Sequence, residues 1–203
     1  MEKNSQVYVT VSGVVIDNKD FIKNALKELS TASRVGYDKG TKIDEQKYLN
    51  EHFKWEREYK RSVIKSSLEV LKGCRNLIAV NSSICEKDEE ATQGVLKKYG
   101  YDSDVFFIRV KKEGNSLLDK TKPIQHIADI MTGGIACTGT SLVTTDSDEA
   151  DIWIVRGGRA FLFNPRAKED ISTLESSEGK PTIQEVKTLK MVPIALGIYK
   201  SKK

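Results

Sequence analysis

Short β-branched runs alternating with helical stripes constrain this chain more than any other feature of its sequence. Val7 to Ile16 opens the pattern, with Val7, Val9 and Val11 on one parity and Tyr8 and Thr10 on the other, the composition of a strand. Asp17 or Asn18 then caps a helix whose apolar stripe is Phe21, Ile22, Ala25, Leu26 and Leu29. Leu77-Ile78-Ala79-Val80 is a continuous apolar run between polar flanks, as a buried central strand requires. A helix is expected from about Glu86 to Lys98, stopped by Gly100, and Val105 to Val110 is again strand-like. Three strands separated by helices imply a parallel or mixed sheet, with right-handed crossovers where the strands are parallel.

Between the first two strands, Asp44 to Lys72 reads as the longest helix, free of internal Gly and Pro and ended by Gly73. The second half changes character. Pro123 opens a short helix through Met131, Gly133-Gly134 breaks it, and Ile135 to Thr144 is strand-like. Asp151 to Val155 and Ala160 to Asn164 flank Arg156-Gly157-Gly158-Arg159, which reads as a hairpin. Lys168 to Thr182 is polar and reads as a mobile loop, and Val186 to Tyr199 as a last strand, or a strand pair broken at Pro193. The expected fold is therefore α/β or α+β: a mixed sheet with βα units in the first half and an antiparallel, hairpin-rich second half. At 203 residues the expectation is a single globular domain, 1–203, with a subdivision near 112–122 as the alternative.

Composition excludes some classes. The hydrophobic set is 38% of residues, and the 14 glycines of 203 add about 7%, so most of the chain has enough apolar material to fold. Net charge is 33 − 29 = +4, a near-balance that does not announce nucleic-acid binding. The long helix does carry an aromatic face of Tyr48, His52, Trp55 and Tyr59 beside Lys54, Arg57, Arg61 and Lys65. From Glu45 to Lys72, however, seven Lys and Arg meet five Glu, the mark of an exposed helix laced with ion pairs, which argues against a nucleic-acid partner. Cys74, Cys85 and Cys137 form no C-x-x-C pair and no even framework, so a reducing compartment is expected. The polar start Met1 to Gln6 and the lack of a run of ~18 apolar residues point to a soluble cytoplasmic protein with no membrane partner, although export without a cleaved signal would leave no trace.

Common catalytic signatures are missing. Gly179-Lys180 is followed by Pro181, which excludes a P-loop, and there is no H-E-x-x-H, G-x-S-x-G or EF-hand loop. His52 and His126 are the two histidines, too few for a His-rich metal site. Three local constellations remain. The string from Gly139-Thr140-Ser141 to Glu149-Ala150-Asp151 resembles the signature of polymerase-β-like nucleotidyltransferases, in which a Gly-Ser turn precedes paired acids on a strand. That resemblance implies Gly139 and Ser141 at a triphosphate and Mg²⁺ held by Glu149 and Asp151, while Arg156 and Arg159 would neutralise phosphate. The expected third carboxylate has no candidate, since Val186 to Tyr199 contains no acid; the plainer reading is a surface loop whose Asp and Ser residues turn the chain.

Val7 to Ser12, Asp20-Phe21-Ile22 and Leu77 to Ser82, followed by Glu86, Asp88, Glu89 and Glu90, resemble a TIR-type module. In NAD-cleaving members this would set Glu89 or Glu90 against ribose hydroxyls; the plainer reading is an acidic first turn matched to the helix dipole. Lastly, Cys137 follows His126 by eleven residues and Asn164 could orient the imidazole, a Cys/His nucleophile pair set against an ordinary buried cysteine. The function expected is binding or processing of a nucleotide-type, phosphate-bearing ligand. The alternatives are a non-catalytic module presenting the hairpin or the long helix to a protein partner, and a cysteine-dependent hydrolase or host-directed effector.

Overall fold

Strand β1 (Gln6–Thr10) lies inside a seven-stranded sheet in the computed structural model, which describes residues 6–17, 62–83, 86–109, 137–174 and 183–198. After a turn at Val11–Val14 (α1), the short β2 (Ile16–Asp17) pairs antiparallel with β3 (Ser62–Val63). Then follow α2 (Lys65–Gly73), β4 (Leu77–Ser83), α3 (Glu86–Lys98) and β5 (Phe106–Arg109). The second half carries β6 (Thr140–Thr144), α4 (Ser147–Val155), β7 (Arg159–Phe163), β8 (Ile171–Leu174), β9 (Ile183–Val186) and α5 (Met191–Ala195).

The sheet order is β5-β4-β1-β6-β7-β9-β8, with every pair parallel except β8 against β9. The chain thus fills one side of β1 with β4 and β5, then returns to fill the other side with β6, β7 and β9. Alternation along each strand sorts side chains to two faces. Val7, Val9, Ala79, Val143 and Phe161 pack on one face with Leu68 and Leu71 of α2, Leu96 of α3 and Val192 of α5. Tyr8, Val80, Leu142 and Ala160 pack on the other with Ala150, Trp153 and Ile154 of α4. Both faces of β1 are covered, which is why its residues from Val7 to Thr10 are all buried. The expected mixed α/β sheet is present, and its antiparallel part is the β8/β9 pair.

Several expectations need correction. The strand read from Val7 to Ile16 stops at Thr10, because Ser12 (φ −66°, ψ 121°) and Gly13 (φ 86°, ψ −31°) take the two central positions of a type II turn. The helix read from Asp44 to Lys72 does not run through residues 62 to 64. Ser62 and Val63 pair with Asp17 and Ile16, the Ile64 amide donates to the Val15 carbonyl (2.8 Å), and helix begins at Lys65.

The hairpin centred on Arg156-Gly157-Gly158-Arg159 is instead a helix stop. Ala150, Trp153 and Ile154 are buried at helical spacing, so Asp151 to Val155 lies in α4 and not in a strand. Gly157 takes φ 82°, its amide donates to the Ile154 carbonyl (2.8 Å), and the Gly158 amide donates to that of Trp153 (3.1 Å). This is a Schellman stop, after which β7 runs parallel to β6. The loop read from Lys168 to Thr182 contains β8, which pairs with β9 because Ile171 to Leu174 can complete the edge ladder. The terminal strand read from Val186 ends at that residue; Pro193 sits in the first turn of α5, where its missing N–H costs nothing. The helices expected over 19–29 and 123–131, and the boundary near 112–122, lie outside the described residues.

Candidate functional site

In an open parallel sheet, ligands gather beyond the carboxyl ends of the strands where the order reverses. Here that point is the end of β1, between β4 and β6. Four polar side chains are buried at these strand ends: Thr10, Asn81, Ser83 and Thr144. Thr10 Oγ1 donates to the Val143 carbonyl (3.2 Å), fastening β1 to β6. The Ser12 amide donates to Asn81 Oδ1 (3.1 Å), so β4 holds the turn that leaves β1. Gly13 turns directly against Thr145: a Cβ there would stand 2.6 Å from Thr145 Oγ1 and 3.0 Å from Cγ2. Ser12 and Thr145 are both exposed, so two hydroxyls flank a glycine turn on an open rim.

The acids nearby serve the fold. Thr144 Oγ1 donates to Glu149 Oε2 and accepts from the Asp146 amide (3.1 Å). Asp146 Oδ1 accepts from the Asp148 amide (3.0 Å), the N-cap of α4. On the other side of β1, Ser83 Oγ donates to Glu89 Oε1 (2.7 Å). Among the described residues no group of three or more His, Cys, Asp or Glu side chains converges as a metal site would require.

The residues singled out in the sequence are spread over both ends of the sheet. Glu149 stands at the carboxyl end, in the first turn of α4. Asp151 is exposed two residues further along that helix, so the two acids do not share a strand face as the nucleotidyltransferase resemblance implied. Gly139 and Ser141 lie toward the opposite end of β6, whose Thr140–Thr144 span is about 13 Å at the usual rise per residue. Ser141 is buried in the ladder between Val7 and Arg159. Arg156 caps the end of α4 and Arg159 begins β7, both at that same amino end.

Cys137 is fully buried there too, its amide donating to the Arg156 carbonyl (2.6 Å). Burial, with a smaller contribution from Cys137, raises the Tyr8 phenol above its ordinary value of 10.0. Asn164 follows β7 at the carboxyl end and donates from Nδ2 to Glu185 Oε1 (2.8 Å), so it cannot orient a base at Cys137. His126 lies outside the described residues. Glu89 is engaged by Ser83, and Glu90 is exposed on α3. Sequence reading missed Ser12, Gly13, Asn81 and Thr145. The available signal was Ser12-Gly13 inside a β-branched run, since a glycine interrupting a strand marks a turn or a close backbone approach.

No protein-family profile matches the chain, and no curated protein does. Solved structures do. A haloacid dehalogenase-like family hydrolase from Xanthomonas campestris superposes with a TM-score of 0.57 at 10% identity, covering 96% of this chain and 95% of that one. A second, the HAD-hydrolase YfnB from Bacillus subtilis, described as bound to magnesium and as revealing interdomain movement, gives a TM-score of 0.55 at 11% identity over 95% and 98% of the two chains. The chain therefore has the fold of haloacid dehalogenase-like hydrolases.

Proposed function

We propose that this protein recognises the phosphate group of a small molecule in the crevice beyond the carboxyl ends of β1, β4 and β6. One observation carries the reading: at the point where the strand order reverses, the Ser12-Gly13 turn leaves the central strand, is held by Asn81 and packs on Thr145. Gly13 lets the turn lie directly against Thr145, and the exposed residues Ser12 and Thr145 carry hydroxyls able to donate to phosphate oxygens. The fold supports the same reading, since its structural neighbours are described as hydrolases of the haloacid dehalogenase type. Hydrolysis is the reaction class those neighbours suggest, and one of them is described as bound to magnesium. A nucleotide is a narrower version of this ligand class, and the conventional cytoplasmic compartment suits it.

Thermal shift against inorganic phosphate, a sugar phosphate and a nucleotide panel tests the reading. A ligand present at 100 times its Kd stabilises by about 2.7 kcal/mol, an easily measured rise in melting temperature. Asn81→Ala, which releases the turn, and the rim variant Ser12→Ala are expected to lose that rise, while Arg159→Ala at the other end of the sheet keeps it. A rise that survives both crevice variants removes this site.

A further inference from the structure

We propose that the crevice binds its phosphate-bearing ligand without magnesium, an inference that rests on the phosphate-binding reading above. Magnesium demands near-octahedral oxygen coordination and is held in proteins by one or two carboxylates together with the ligand's own phosphate oxygens. At this crevice the described side chains on the rim are hydroxyls and an amide: Ser12 and Thr145 beside Gly13, with Asn81 beneath.

Carboxylates at these strand ends are engaged within the fold. Glu149 takes the Thr144 hydroxyl and Glu89 the Ser83 hydroxyl, both from residues buried in the strand ends, and Asp146 caps α4. Turning Glu149 or Glu89 toward a cation would take an acceptor away from the buried Thr144 or Ser83 hydroxyl. The donor set thus suits an anion and not a hard cation. The neighbour described as bound to magnesium shares this fold but, at 11% identity, not a demonstrated site.

Calorimetric titration of the full chain with inorganic phosphate, once in EDTA and once in millimolar MgCl₂, tests the inference, with magnesium alone as a third arm. Phosphate is expected to bind with the same Kd to within about twofold in both buffers, and magnesium alone to give no heat. Phosphate binding that appears only with magnesium overturns this inference and leaves the phosphate reading intact. No phosphate binding in either buffer overturns the reading itself. A Ser12→Asp/Thr145→Asp variant, altered only at exposed positions, places two carboxylates beside Gly13 and is expected to gain a magnesium response. If that variant stays as indifferent to magnesium as the wild type, missing carboxylates are not the cause.

Discussion

Two glycines show how single atoms decide the local structure. Gly13 has a positive φ and faces Thr145, so Gly13→Ala meets both backbone strain and a side chain at 2.6 Å. The strain alone costs about 1–2 kcal/mol. Because Thr145 is exposed and able to turn away, Thr145→Ala is expected to recover only the clash in Gly13→Ala/Thr145→Ala, leaving the strain; chemical denaturation of the four-member cycle measures the split. Gly158 differs, because its backbone carries no positive φ. A Cβ there stands 2.4 Å from the Trp153 ring and 2.9 Å from Cys137 Cβ, and both neighbours are fully buried. Gly158→Ala is expected to lose about 1–3 kcal/mol by overpacking, with a changed near-ultraviolet signal from Trp153. An unchanged spectrum with unchanged stability would mean that this packing is looser than described.

Among the elements, α4 shows what the sequence did and did not make legible. The run Ile152-Trp153-Ile154-Val155 is β-rich in composition, and with Gly157-Gly158 after it the local pattern favours a hairpin. The competing signal was Asp146, followed by Asp148 and Glu149 in the first turn, an N-terminal pattern that outweighs β propensity once Ala150, Trp153 and Ile154 find the sheet. Asp146→Ala is expected to cost about 1 kcal/mol by loss of the cap, and Gly157→Ala about as much at the stop, both read from urea midpoints. The β4 and β5 strands and the α3 helix were legible because each has one periodicity and polar flanks. The turn after β1 was not, because its apolar neighbours Val11, Val14 and Val15 are buried as strand residues would be.

For the whole molecule, the two packed faces give a common response to alkali. Tyr8 lies in the core on one side of the sheet and Tyr101 in the core on the other. Both phenols are pushed above 10.0, chiefly by burial; at Tyr101 a hydrogen bond with Ser103 works against this and the Asp104 charge adds to it. The folded state keeps these protons longer than the unfolded chain, so their contribution to stability is full below pH 10 and is lost as pH rises above it. Urea midpoints are expected to be level in this respect below pH 10 and to fall above it, and Tyr8→Phe to fall less steeply than the wild type.

The fold class was legible from strand and helix periods, but the site was not. A site on parallel strands is assembled from residues far apart in sequence, and nothing local announces that Asn81 will hold Ser12 while Thr145 packs on Gly13. The residues with recognisable chemistry, Glu149 and Asp151 with Arg156 and Arg159, were close in sequence and fell along α4 toward opposite ends of the sheet. The most direct test of the crevice is a titration of ¹⁵N-labelled protein with inorganic phosphate, followed by amide chemical shifts. The account predicts saturable shifts concentrated at Ser12, Gly13, Asn81 and Thr145, with Gly139, Arg156 and Arg159 still. Shifts centred on Gly139, Arg156 and Arg159 instead would contradict it.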